Sequence, residues 1–469
     1  MKTEEFRKHG HEFVDWMADY FDNVENLPVK PDIEPGEIFN KLPDDAPEKG
    51  ESMDSIFSDF KNIILPGMTH WQSPSFHAYF PGNNSKPSVL AEMLMATMGA
   101  QCMLWATSPA ASELEDQVME WLRKMVNLPE NWVGSIQNGA SDATLNALLT
   151  ARERFTNYEI NEKGFDQHKF RVYSSDQAHS SIDKAVAISG IGKQNLIKVD
   201  VDENFALKPE SLRQAIESDI ANGHQPLLIV VAIGTTGTTA IDPLDKIIDI
   251  AKENNIWVHV DAALAGTALI LDSMRWIAPS LDAADSLVFN PHKWMFTNFD
   301  ASAYFIKDKK ALVNTFSITP EYLKTKEDDK VNNYRDWGVP LGRRFRSLKI
   351  WFVIRSYGIS GLQEKISNHL ALAQWFKEKV EVSPGHELVA PVPLNTVCFR
   401  CLVEGKSLEE ENKFNEELMH RLNKSGEVFL THVIVNGKFT IRIVIGQTEV
   451  EKRHVEKAWR LIEEYSNHH

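Results

Sequence analysis

Apolar residues recur along this chain in two rhythms, and the points where one gives way to the other outline the fold. Residues 4–23 carry Phe6, Phe13, Trp16, Met17, Tyr20 and Phe21 at helical spacing, which predicts an amphipathic N-terminal helix. Short runs of branched and aromatic residues at 133–137, 170–173, 195–200, 227–233, 256–260, 286–289 and 302–306 read as strands, with helical stretches between them. Alternation of this kind predicts βαβ units and a mostly parallel central sheet. Beyond residue 349 the pattern changes. Helical stretches there flank a strand over Thr396 to Val403 and a hairpin whose arms, Val433–Val435 and Phe439–Ile445, meet at Asn436-Gly437. Three segments follow: a helical N-terminal segment (1–84), a large α/β domain (85–348) and a small C-terminal α+β domain (349–469). A chain of 469 residues is too long for one small core, which agrees.

Composition narrows the function classes. Lys+Arg 50 against Asp+Glu 66 gives a net charge of −16, an acidic balance that argues against nucleic-acid binding. No apolar run approaches the ~18 residues of a membrane span. Met1-Lys2-Thr3-Glu4-Glu5 lacks a signal-peptide apolar region, so a soluble cytoplasmic protein with no membrane partner is expected. Cys398-Phe399-Arg400-Cys401 has Cys-x-x-Cys form, but it lies inside a strand, where residues three apart face opposite sides. Buried thiols are expected there, not a redox pair, and no metal site is expected anywhere.

Four strand ends carry the candidate chemistry. Ser286–Phe289 runs into Asn290-Pro291-His292-Lys293-Trp294, which places a lysine just past a strand. Such an amine can form a Schiff base with a carbonyl compound such as pyridoxal phosphate, or merely meet water. The apolar strand Ile256–Val260 ends in Asp261, 32 residues before Lys293, a spacing that fits one helix and one further strand. Asp261 either caps a turn or faces a cation, and a protonated pyridine nitrogen would serve, at about 4 kcal/mol for a pair ~4 Å apart. Both residues would then lie at carboxyl ends of strands in one sheet. Asn138-Gly139-Ala140-Ser141-Asp142 opens a helix after a strand; small residues there allow an anion to approach, and a plain N-cap at Ser141 is the alternative. His179, in the polar loop after Val172-Tyr173, is suited to ring stacking or proton transfer, or is simply solvated. No Gly-x-Gly-x-x-Gly stands at a strand-to-helix junction, which disfavours dinucleotide enzymes.

Taken together, these segments resemble the PLP-dependent aromatic-L-amino-acid decarboxylases (group II decarboxylases) over nearly the whole chain. Further similar pieces are Pro66-Gly67-Met68-Thr69-His70-Trp71, Ala78-Tyr79-Phe80-Pro81, Ser108-Pro109-Ala110, Ser174 through Ser181, His259 through Ala263 and Pro340 through Lys349. The resemblance implies the fold type I, PLP-dependent transferase-like architecture and a homodimer with active sites at the subunit interface, the N-terminal helix packing on the partner. It implies pyridoxal 5'-phosphate as cofactor and decarboxylation of an aromatic amino acid, of the tryptophan, tyrosine, phenylalanine or dopa class, to its amine and CO2.

By the same resemblance Lys293 holds the cofactor covalently, Asp261 pairs with its ring nitrogen and His179 stacks on the ring. Ala140, Ser141 and Asn290 line the phosphate end, with His292 adjoining and Thr236 near the cofactor. Tyr322, in Thr319-Pro320-Glu321-Tyr322-Leu323-Lys324, is the catalytic acid on a mobile loop, and Arg335 follows that loop. Trp71, Tyr79, Phe80, Pro81, Gly82, Gln101, Met103, His179 and Gly342 line the substrate. Gly342 adds no side-chain volume and suits a bulky ring, where histidine decarboxylases tend to have serine. Gly82, Gln101, Met103 and Leu264 depart from the animal enzymes' pattern, with Gln101 expected to offer a buried amide. Alternatives are a histidine decarboxylase or an aromatic aldehyde synthase. In the aldehyde-forming branches the loop tyrosine is phenylalanine or the stacking histidine is asparagine, and here both Tyr322 and His179 are present. An aminotransferase of similar fold would also keep Lys293 and Asp261. The cluster Arg343-Arg344-Phe345-Arg346 is expected to be solvated or paired, not catalytic.

Overall fold

A computed structural model describes residues 1–318 and 330–467, the last of them by its backbone alone. Packing divides the chain into two compact units, Met1–Pro81 with Trp375–Val389 and Cys398–His469, and Gly82–Gln374 with Ala390–Val397.

The second unit is built on seven strands: β1 (Val133–Gln137), β2 (Phe170–Ser175), β3 (Leu196–Val199), β4 (Gln225–Ala232), β5 (Trp257–Asp261), β6 (Ser286–Phe289) and β7 (Ser302–Ile306). Each falls within a residue or two of an apolar run read from the sequence. Their order is β1-β7-β6-β5-β4-β2-β3. β3, β2, β4, β5 and β6 are mutually parallel, while β7 runs antiparallel to both β6 and β1. The sheet is therefore mostly parallel, with one reversed strand that side-chain periodicity could not reveal.

The last six residues of β4 and all of β6 and β7 are buried, which is why these strands read as unbroken apolar runs: helices cover both faces of a parallel sheet. The helix Ala140–Phe155 packs Ala143, Ala147, Leu148 and Ala151 against Val172, Leu228, Val230 and Tyr304. Burying each large apolar side chain there contributes about 1.5–3 kcal/mol. Strand direction also fixes where the chemistry can lie. β2, β4, β5 and β6 end at one edge of the sheet, and β1, twice reversed from β6 through β7, ends there too, so the helix at Ala140 starts from that same edge.

In the first unit, helix Thr3–Asn23 covers the expected span and has no buried residue. A four-stranded sheet, in the order β10-β11-β9-β8, comprises β8 (His386–Leu388), β9 (Thr396–Cys401), β10 (Thr431–Val435) and β11 (Lys438–Val444). Asn436 and Gly437 both take positive φ, 49° and 75°, as a tight hairpin turn requires. Three-residue β8 was not foreseen; it is only half-buried and shows no apolar run. Cys398 and Cys401 are free, buried thiols that burial pushes up to about 11 and about 12, as a strand placement implies and unlike a redox pair.

Candidate active site

β5 delivers Asp261 to the carboxyl edge between β4 and β6, with Ala232 and Val288 as its register partners. Its main-chain carbonyl accepts the Ile233 N–H at 2.9 Å, and its carboxylate accepts the Ala263 N–H at 3.1 Å. One carboxylate oxygen is thus tied to the turn, while Asp261 as a whole is half-buried. The capping and counterion alternatives prove compatible, since one short bond does not exhaust a carboxylate.

Asn290 extends β6 and donates its N–H to Ala263 O at 2.9 Å, which binds the two strand ends together. One helical turn, Pro291–Trp294, follows, with proline at its first position, where no N–H is needed. Lys293 therefore rises beside Asp261. Burial pushes its ammonium below the ordinary lysine range, and the Asp261 charge opposes that shift. His292 accepts the Ala301 N–H on Nδ1 at 3.0 Å, and burial drives its ring down to about 3, so the imidazole is neutral. Buried Asn83 clamps this turn from outside: its Nδ2 donates to Lys293 O at 2.8 Å and its main-chain N–H to His292 O at 3.0 Å. Asn83 was missed in the sequence because its partners lie some 210 positions away.

His179 stands on the loop after β2. Its Nδ1 accepts the Ser181 N–H at 3.1 Å and lies 2.8 Å from the Ser181 hydroxyl. In the neutral ring the proton consequently resides on Nε2. Burial lowers the ring's proton affinity, Asp261 raises it and Lys293 lowers it again, so His179 shares an electrostatic environment with both. The helix at Ala140 is capped by Gly139 in an extended conformation, φ −166° and ψ 167°, and no side chain occupies the cap. Ser141 is thus an exposed first-turn residue and not the N-cap, and the first-turn N–H groups have no acceptor within the helix. Thr236 is exposed on the turn beyond β4, whose last residue lies beside Asp261. The structure thus gathers Lys293, Asp261, His179, Asn290, His292, Ala140, Ser141 and Thr236 at one sheet edge.

The second unit also holds Gly82, Gln101, Met103 and Gly342. Gln101 is exposed, which corrects the expectation of a buried amide. Its Oε1 accepts the Arg343 N–H at 2.7 Å, and Cys102 N donates to Arg343 O at 3.0 Å, a two-bond link that holds the chain at Gly342 against Gln101. Met103 O accepts the Arg335 N–H at 3.0 Å. The arginine cluster is paired: Arg343 grips Glu115 with both terminal nitrogens (3.0 and 2.7 Å), and Arg344 and Arg346 reach Asp300. In the first unit Trp71 and Tyr79 form a stacked, exposed pair with centroids 5.8 Å apart, Phe80 is half-buried and Pro81 is buried. Tyr322 lies outside the described residues. A cavity of about 520 Å3 lined by Val126, Leu128, Leu269, Arg275, Leu281 and Asp282 holds none of the candidate residues, its loops preceding β1 and β6 at the opposite edge of the sheet.

A lysine of lowered proton affinity beside a carboxylate, a neutral histidine and an uncapped helix start, all on the carboxyl edge of a mostly parallel sheet, define a site for a carbonyl cofactor bearing an anionic group. The Pyridoxal-dependent decarboxylase conserved domain matches residues 35–402, and the chain belongs to that family. It is similar, at 42% identity over 100% of its length and 97% of the relative's, to a phenylacetaldehyde synthase of Arabidopsis thaliana. Tryptophan decarboxylase 2 of Oryza sativa subsp. japonica is 41% identical over 98% of this chain and 94% of its own. Among solved structures, an Oryza sativa tryptophan decarboxylase (TDC) with PLP and tryptamine superposes with a TM-score of 0.95 at 33% identity, covering 99% of this chain and 98% of that one.

The residues present fit the cofactor of the family, pyridoxal phosphate. Asn290 carries a buried amide oxygen with no hydrogen-bond partner among the described residues, and Ser174 and Ser175, at the end of β2, bury two unmatched hydroxyls. A polar ligand at this sheet edge would satisfy the Asn290 oxygen.

Proposed function

We propose that this enzyme decarboxylates an aromatic L-amino acid, of the tryptophan, tyrosine, phenylalanine or dopa class, to its amine and CO2. The observation that carries the proposal is the placement of Lys293 beside Asp261, with both charges felt by His179, at the edge where the Ala140 helix opens. The bound cofactor supplies the electron sink for the bond to CO2. Lys293 holds it covalently, its lowered proton affinity favouring the free amine that condensation requires. Asp261 keeps a proton on the ring nitrogen, with one carboxylate oxygen already oriented by Ala263. Ala140 and Ser141 offer first-turn N–H groups to the phosphate, with Asn290, His292 and Thr236 beside them. His179 presents a ring whose Nδ1 is engaged by Ser181, leaving its face for stacking and Nε2–H for proton relay. Tyr322 delivers the proton to the substrate carbon.

Gly342 leaves room for the ring, the Gln101–Arg343 link fixes where that room lies, and Met103 and Gly82 line it. Trp71, Tyr79, Phe80 and Pro81 keep the apolar substrate role. The working form is a homodimer: helix Thr3–Asn23 exposes Phe6 and Val14, and helix Lys86–Met98 exposes Leu90, Met93, Leu94 and Met98, apolar surfaces suited to a second copy. The cell compartment is the cytoplasm, in keeping with the lack of any described helix long and apolar enough to cross a membrane.

The 42% identity to a phenylacetaldehyde synthase raises a second reading, oxygen-consuming formation of an aldehyde, ammonia and peroxide. His179 and Tyr322 favour the amine, because a proton donor in the site would protonate the substrate carbon in preference to its reaction with oxygen. Amine, aldehyde and peroxide are measured together on L-tryptophan, L-tyrosine, L-phenylalanine and L-dopa. Amine as the main product is expected; aldehyde and peroxide in equal yield with the wild-type protein would overturn the proposal. Tyr322→Phe is expected to move product from amine toward aldehyde, and an unchanged ratio removes Tyr322 from the proton transfer.

A further inference from the structure

Arg346 opens a helix and is buried, although among the described residues its side-chain hydrogen bonds reach none assigned above to cofactor or substrate. Its guanidinium joins two segments far apart in sequence. Nε and Nη2 donate to Asp300 Oδ2 at 2.9 and 2.7 Å, and Nη2 donates as well to Asn138 Oδ1 at 2.6 Å. Asp300 belongs to the loop between the Lys293 turn and β7, and its other oxygen accepts from Arg344. Asn138 immediately precedes Gly139, the cap of the helix proposed to receive the phosphate. With its oxygen held by Arg346, the Asn138 amide turns its NH2 to the carboxylate of Asp142 at 2.5 Å.

Asp142 is the feature that gives this chain of contacts a purpose. It is the third residue of the helix, counted from the Gly139 cap. An acid at that position characteristically folds back onto the N–H of the cap residue and places negative charge against the helix start. There its negative charge would repel an incoming phosphate from the adjacent first-turn donors. The Asn138 amide instead takes hold of the carboxylate, and Arg346, anchored to Asp300, fixes which way that amide faces. A planar fork serves Asp300 and Asn138 together; the single ammonium of lysine does not reproduce it.

We propose that Arg346 is a positioning residue for the anionic end of the cofactor, acting through Asn138 to restrain Asp142 and keep the helix start open to phosphate. This rests on the reading of that helix as the phosphate site. Holoenzymes of the wild type, Arg346→Lys, Arg346→Gln and Asn138→Ala are compared for dissociation of pyridoxal 5'-phosphate and, after exchange, of pyridoxal, which lacks the phosphate. Visible absorbance follows release.

Loss of one charge-assisted contact predicts an affinity for the phosphorylated cofactor lowered about tenfold or more, with pyridoxal changed less than about twofold. The Arg346→Gln/Asn138→Ala double variant is expected to lose no more than the worse single variant. Asp142→Asn in the Arg346→Gln background is expected to restore phosphate selectivity, because a neutral side chain no longer repels the anion. Equal losses for pyridoxal and its phosphate would assign Arg346 a purely structural role and overturn the proposal. Unchanged affinity in the variants, additive losses, or failure of Asp142→Asn to rescue would overturn it as well. Should Arg346→Gln not fold, Arg346→Lys alone and with Asp142→Asn gives the same comparison. Wild-type protein that fails to retain pyridoxal phosphate would instead defeat the proposed function itself.

Discussion

Replacing Gly342 by alanine tests the substrate assignment directly. A Cβ at this position would stand 3.4 Å from Gln101 Nε2 and 3.9 Å from Gln101 Oε1, ordinary contact distances with nothing closer. Gly342 does not occupy a left-handed conformation, so alanine brings no backbone strain. Gln101 need not move, which preserves its 2.7 Å bond from the Arg343 N–H. Stability should accordingly change by less than about 0.5 kcal/mol. Catalysis should change more. One added methyl in the space for the ring costs about 1–3 kcal/mol, or roughly 10–200-fold in kcat/KM for tryptophan, with a smaller loss for phenylalanine. The assay is kcat/KM for both proteins on tryptophan, tyrosine, phenylalanine, dopa and histidine, together with a thermal melt. A uniform loss across all five amino acids, or a lowered melting temperature accounting for the loss, would refute the assignment of Gly342 to the ring pocket. Histidine as the best wild-type substrate would refute the inference from glycine altogether.

Three other outcomes are expected. Lys293→Ala should lose both the yellow colour and the borohydride-reducible lysine adduct, and an adduct that persists would show that another amine holds the cofactor. Glu115→Gln should cost about 3–5 kcal/mol, because it strands the Arg343 guanidinium, which is only 8% exposed, and weakens the carboxylate acceptor for the Ile136 N–H; a denaturation midpoint within error of the wild type would refute that weight. Acid should destabilise the fold between pH 6.5 and 4. Burial holds the His77 and His259 rings down to about 4, so below 6.5 the unfolded chain takes up protons that the folded chain refuses, at a cost approaching about 3 kcal/mol per ring at pH 4. Melting temperatures across that range check it, and a flat profile in the wild type would mean that the rings protonate without unfolding.

Much of the molecule was legible from pattern alone. The seven strands of the larger sheet stand out because helices bury both of its faces, leaving unbroken apolar runs such as Leu227–Ala232, and the Asn436-Gly437 turn announced its hairpin. Asp261 and Lys293 are legible for a related reason, the one being the last residue of an apolar strand and the other lying one turn beyond the end of another, where an unpaired ion would be costly. What pattern could not supply was direction and partnership. Alternation of side chains is the same in parallel and antiparallel strands, so the reversal of β7 was invisible, and with it the reason that the Ala140 helix opens on the same edge as Lys293. Polar clamps are also silent in sequence: Asn83 on the Lys293 turn, Gln101 on Arg343, and Arg346 between Asp300 and Asn138 join segments from 46 to 242 positions apart. Which residues carry chemistry was determined locally, by charge placed at the end of hydrophobic strands. How those residues are aimed was decided only when the folded backbone brought distant hydrogen-bond donors and acceptors within 3 Å of one another, a relation that no single stretch of chain contains.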